Sequence, residues 1–153
     1  MLGQMEPPRS AQQRKKDTLD RLATDKDVWV ATADPGGNPY LVPLSFVWDG
    51  DALTLSTPEA SPTARNLVAS GFVRLGLGPT RDVVLIEGAV RSFTSGTVPD
   101  EVADAYAAAM RWDPRKERQP HAFFRVTPVR VQAWREVNEI KGRELMADGR
   151  WLP

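Results

Sequence analysis

Between Val28 and Thr57, three β-patterned runs follow one another with only a tight turn between each pair. Val28–Ala33 ends in Asp34-Pro35-Gly36-Gly37-Asn38. Tyr40–Trp48 ends in Asp49-Gly50-Asp51, and Ala52–Thr57 follows. Connections this short leave no room for a crossover, so the spacing predicts an antiparallel meander. In the second run Tyr40, Val42, Leu44, Phe46 and Trp48 share one face, and Leu41, Pro43, Ser45 and Val47 share the other. Pro43 has no N–H to give a ladder, which predicts an edge or a bulge there.

The chain beyond the meander continues in short elements. Ser61 is a good N-cap and Pro62 suits the first helical position. Ala64, Leu67 and Val68 form a stripe, and Gly71 predicts the stop. Phe72–Leu77 alternates, with Val73, Leu75 and Leu77 on one face. Asp82–Phe93 is a long strand run with a bulge or bend expected at Glu87-Gly88. Thr97–Arg111 reads as a helix. Ala122–Val126 and Val129–Trp134 read as two strands around Pro128, and Asp148-Gly149-Arg150-Trp151 as a turn followed by an aromatic anchor. Upstream, Leu19 and Leu22 support a short helix over Ala11–Ala23. Residues 1–12 are expected to be a flexible tail and residues 13–153 one domain. The fold class expected is mostly β with flanking helices, a barrel of about six antiparallel strands. Such a barrel is filled by its own side chains, so any bound cofactor would have to lie outside it.

Twenty basic residues balance twenty acidic ones. That balance argues against nucleic acid or a membrane surface as a general partner. There is no cysteine, which excludes disulfides and thiolate chemistry. No signal-peptide or membrane-spanning pattern is visible, and a cytoplasmic location is expected.

The segment Ser56–Asn66 carries the clearest chemistry. It combines a strand end, a short loop and a helix N-terminus, where free N–H groups and the helix dipole favour an anion. Ser56, Thr57, Ser61 and Thr63 add hydroxyls, and Arg65 adds a cation. Two readings stand: a phosphate cradle, or an ordinary capped helix whose arginine faces water. Gly76-Leu77-Gly78 lacks a third glycine and a following helix, so it reads as a strand end. His121 is the only histidine and has no ligand partner at a useful spacing, so it reads as a surface or strand-edge residue and no metal site is expected. Asp49 and Asp51 read as turn residues. Of the five tryptophans, Trp29 and Trp48 read as core. Trp112, Trp134 and Trp151 lie where an aromatic covers a ligand or a partner. Arg14-Lys15-Lys16 reads as a solvated helix face.

The stretch Val28–Val90 resembles the FMN-binding split-barrel superfamily, the pyridoxamine 5′-phosphate oxidase-like proteins, and within it the branch using the deazaflavin F420. The resemblance rests on Val30-Ala31-Thr32-Ala33, Pro35-Gly36-Gly37, Leu41-Val42-Pro43-Leu44, Phe46-Val47-Trp48-Asp49-Gly50, Leu53–Thr57, Ala64-Arg65-Asn66-Leu67 and Val83–Gly88, in that order. Pro128–Trp134 is similar to the family's C-terminal strand. The resemblance implies a homodimeric split barrel with cofactor sites at the subunit interface. It implies that Val42, Pro43 and Leu44 run beside the isoalloxazine ring. Ser56, Thr57, Arg65 and Asn66 would hold the phosphate end, and the partner's Trp134 would be a lid. The F420 branch usually has a lysine where this chain has Thr63, so both F420 and FMN stay open as the cofactor. The function expected is hydride transfer between that cofactor and a small organic substrate. The alternative is a non-catalytic protein that binds or carries flavin, deazaflavin or haem.

Overall fold

A computed structural model describes residues 5–153. Six antiparallel strands close on themselves: β1 (Asp27–Ala33), β2 (Pro39–Trp48), β3 (Leu53–Pro58), β4 (Phe72–Leu77), β5 (Val83–Thr94) and β6 (His121–Trp134). The order is β3-β2-β1-β4-β5-β6, and β3 pairs with β6 to complete the barrel. A short hairpin of β7 (Glu144–Ala147) and β8 (Arg150–Trp151) extends the sheet beyond β6. Three helices flank the strands: α1 (Ala11–Thr24), α2 (Pro62–Ser70) and α3 (Asp100–Met110). No helix among the described residues is long and apolar enough to cross a membrane.

The meander forms as its turns require. Asp34 caps its turn by accepting from the Asn38 backbone N–H, and Gly37 takes φ 81°, which only glycine adopts without strain. The barrel interior is packed with Val28, Val30, Leu53, Leu55, Leu75, Ile86 and Phe124, so it is a core and not a ligand cavity. Pro43 lies in the half of β2 that pairs with β1 alone, the edge expected for a residue without an N–H. Helix α2 closes one end of the barrel with Ala64 and Leu67. Ser61 caps it and Gly71, at φ 66°, ends it. Helix α3 lies over the outside of the sheet, where Tyr106 and Val98 pack on Phe123.

Several expectations are corrected. Pro128 does not divide two strands: β6 is continuous from His121 to Trp134. Gly88 pairs with Pro128 and Glu87 with Arg130, so the additional residue is Val129 on β6. The bulge takes up the proline's missing donor, while Gly88 on β5 allows the close approach. Trp29 is 52% exposed on the outer face of β1, because the inward positions of that strand are Val28, Val30 and Thr32. His121 is buried rather than at the surface. Its Nδ1 lies 2.7 Å from the Gln119 carbonyl oxygen, and its ring packs edge-to-face with Trp112, the centroids 5.3 Å apart. Arg14 leaves the solvated face expected for its run and donates to the Gly142 carbonyl from a buried position. The tail expected over residues 1–12 overlaps α1 from Ala11, and Arg9 is tied to Glu139 and Asp17. Residues 1–4 of that tail lie outside the described residues.

Candidate functional site

Strand alternation separates two residues that the sequence places together. Leu53, Leu55 and Thr57 face the barrel core, so Ser56 faces the opposite side of β3. The Ser56 hydroxyl donates to the Ala122 carbonyl at 2.8 Å and is buried. Thr57 sits under the start of α2, with its Oγ1 3.4 Å from the Ser61 Oγ. Ser61 Oγ accepts from the Ala64 N–H at 3.1 Å, which uses it as the helix cap. Thr63 is 2% exposed. Asn66 is buried and donates through Nδ2 to Thr32 Oγ1 at 3.0 Å, pinning α2 to the mouth of the barrel. These hydroxyls and this amide therefore build the seat of α2 rather than an open ring of donors.

Arg65 is different. It is exposed, and among the described residues no carboxylate lies within ion-pair distance of it. It borders two clefts, one on each side of α2. The first, of about 390 Å³, lies between α2 and the β1–β2 turn and is lined by Asp34, Asn38, Tyr40 and Asn66. The second, of about 530 Å³, is more apolar and lies between α2 and the end of β5, with Val68, Phe93, Thr94 and Thr97 in its walls. Hydrogen bonds from the Asn38 side chain and backbone hold the Asp34 carboxyl below the usual range, so it stays anionic beside the first cleft. Asp34, Asn38 and Tyr40 line this cleft beside Arg65, and sequence reasoning named none of them as candidates. The register that sets Tyr40 opposite Thr32, with Asn66 bonded to Thr32, carries that end of the hairpin to α2. The turn cluster Asp34–Asn38 was the visible signal, but nothing local told which helix it meets.

Val42 and Leu44 pack against the core and Pro43 points outward, so the three do not share one face. Trp134 ends β6, while Ala122 near its start lines the second Arg65 cleft. Trp134 pairs with Val83 and Ala122 with Thr94, so they lie at opposite ends of the β5–β6 ladder and one chain does not bring Trp134 to Arg65. The Arg143 guanidinium lies over the Trp134 ring at 5.8 Å.

The fold is shared with proteins of varied names. An F420 reductase superposes with a TM-score of 0.58 at 20% identity, covering 73% of this chain and 93% of that one. The haem storage protein HutZ of Vibrio cholerae gives 0.63 at 12% identity, over 89% and 98%. A haem-binding protein of Mycobacterium smegmatis gives 0.64 at 19% identity, over 95% and 60%. Identities at this level speak to the fold alone. No curated protein matches the chain in sequence. Residues 15–135 match the family model of pyridoxamine 5′-phosphate oxidase, and these residues build the six-stranded barrel. The chain belongs to the pyridoxamine 5′-phosphate oxidase-like family of split barrels.

Proposed function

We propose that this protein is a homodimeric oxidoreductase that binds F420 or FMN outside the barrel and passes a hydride to or from a small organic substrate. The observation that carries the reading is Arg65, an exposed guanidinium with no carboxylate partner among the described residues, four residues past the α2 cap and bordering two clefts. A cation so placed fits a phosphate, which it can hold in a bidentate pair. When bound, the flavin or deazaflavin supplies the hydride chemistry. The chain's own part is to bind and orient. Arg65 meets the phosphate end, and the Asn66–Thr32 bond fixes the angle of α2 so that Arg65 stays at the rim.

The dimer is part of the proposal. Trp29, Leu41 and Leu85 are 52%, 60% and 39% exposed on one outer face of the sheet. Pro43, Trp29, Gly76 and Leu85 follow one another across β2, β1, β4 and β5 in register. Such a contiguous apolar band on a sheet face favours a partner surface. A partner of the same sequence would also supply the Trp134 that one chain cannot bring to Arg65.

The names of two similar folds favour a second reading, a haem binder without turnover. The only histidine, His121, is 7% exposed and packed against Trp112, and this burial opposes an axial-ligand role even though the Gln119 carbonyl at Nδ1 leaves Nε2 as the free ring nitrogen. The deciding experiment offers FMN, F420 and haem in separate titrations. Reduced F420 is then mixed with a panel of quinones and enones. Cofactor oxidation that needs both protein and acceptor supports the oxidoreductase. Tight binding without turnover across the panel supports the carrier, and a failure to bind FMN or F420 sinks the proposal.

A further inference from the structure

A third cleft, of about 540 Å³, lies by the end of β2 opposite to the α2–hairpin cleft, where the N-terminal half of α3 overhangs the barrel. Its floor is one cross-strand row. Val47 pairs with Thr54, Thr54 with Arg125, and Arg125 with Arg91. Two arginines directly opposite each other on neighbouring strands repel, which destabilises the pairing unless negative charge is supplied between or beside them.

The chain supplies only part of that charge. Asp49 forms an ion pair with Arg125. The same carboxylate accepts the backbone N–H groups of Asp51 and Ala52, each at 2.9 Å, and these contacts hold it ionised. Arg91 has no carboxylate within ion-pair distance among the described residues and instead lies 5.4 Å from the Phe93 ring centroid. At the rim the balance is reversed. Asp51, in the β2–β3 turn, and Glu101, in the first turn of α3, both line the cleft without a cationic partner among the described residues. Phe93 and Val102 add apolar wall between floor and rim.

A ligand that pairs with both the arginine floor and the carboxylate rim must carry both signs. A simple anion would satisfy Arg91 but meet two free carboxylates, and a simple cation would meet two arginines. We propose that the α3 cleft is a second ligand site that takes an apolar α-amino acid, its carboxylate on Arg91 and Arg125, its ammonium toward Asp51 and Glu101, and its side chain against Phe93 and Val102. The volume lies in the range of small-molecule sites. None of these residues belongs to the cofactor surface around Arg65 apart from Phe93, whose ring edges both regions. The site does not depend on the cofactor proposal.

The test is calorimetric titration of the full chain with L-phenylalanine, beside 3-phenylpropionate, which lacks the amine, and phenethylamine, which lacks the carboxylate. Saturable binding of phenylalanine is expected, with each analogue weaker by about tenfold or more, the weight of one charge-assisted contact. Arg91→Gln should weaken phenylalanine by a similar factor, and Asp51→Asn with Glu101→Gln should bring the amino acid down to the level of 3-phenylpropionate. These three residues sit at the surface, and circular dichroism verifies that the variants keep the barrel. Equal binding of all three compounds, no saturable binding of phenylalanine, or an unchanged constant in folded Arg91→Gln would overturn the proposal.

Discussion

Glu139 is the one carboxylate buried among the described residues, at 3% exposure, and it lives on its partners. Arg9 grips both its oxygens, at 2.8 Å and 3.0 Å, and the Arg135 backbone N–H donates to it at 2.8 Å. The Arg9 hydrogen bond is the main reason its carboxyl is held down to about 2. A depressed carboxyl stabilises the fold fully above its unfolded value and loses that contribution as pH falls through the folded one. Thermal melts should therefore lose stability between about pH 4.5 and pH 2, on the order of 2 kcal/mol from this group. In Arg9→Ala the carboxylate is left buried and unpaired. A loss of about 3 kcal/mol at neutral pH is expected in urea melts, with a flatter acid limb. At Arg65, replacement by alanine should weaken FMN or F420 by about tenfold or more while the melting temperature holds, and lysine should restore part of the affinity. An unchanged titration curve in Arg65→Ala would remove the role given to it. The strand, cap and helix around Arg65 were legible in the sequence, because a capped helix after a strand is a local pattern. Their exposure was not. Whether Ser56 faces outward or Thr63 is buried depends on how β3 alternates and what α2 sits on, and both are tertiary facts.

Among the elements, β1 to β5 and all three helices were legible within a few residues, since turn clusters and caps announce them. The strand Glu144–Ala147 was not read, and the break assigned at Pro128 was wrong. A proline in a strand reads as an end when its partner is unknown, and only the pairing with Gly88 shows that a bulge absorbs it. The same contact makes Gly88 a sensitive position. A β-carbon there would lie 2.3 Å from Val126 Cγ1 and 3.2 Å from the Thr127 carbonyl oxygen. Val126 is fully buried and has nowhere to move. Gly88→Ala should cost about 2 kcal/mol in equilibrium unfolding, as overpacking does. A variant as stable as the parent would show that β5 and β6 can separate at the bulge. Trp29 was misread for a related reason: an aromatic in a strand looks like core until the parity of its neighbours decides the face.

For the molecule as a whole, the outer band of Trp29, Leu41 and Leu85 sets the assembly expected. Leu41→Lys should shift sedimentation or light scattering from dimer to monomer, with the barrel's circular dichroism retained. If the proposed dimer completes the cofactor site with the partner's Trp134, the monomer should also bind cofactor more weakly. A monomeric parent protein would end that reading, while a dimeric Leu41→Lys would place the contact elsewhere. Sequence patterns revealed that a barrel forms but not which strands close it, because the β3–β6 pairing joins Leu53 to Val126 across about half of the chain. That closure has a consequence during synthesis. Until His121–Trp134 leaves the ribosome, β3 and β5 are two bare edges on a half-built sheet, each able to recruit a strand from another nascent chain. The long-range pairing is also slow to find. The cell's risk with this protein is concentrated in the interval before its last long strand emerges, and the release of that one strand ends it on both edges at once.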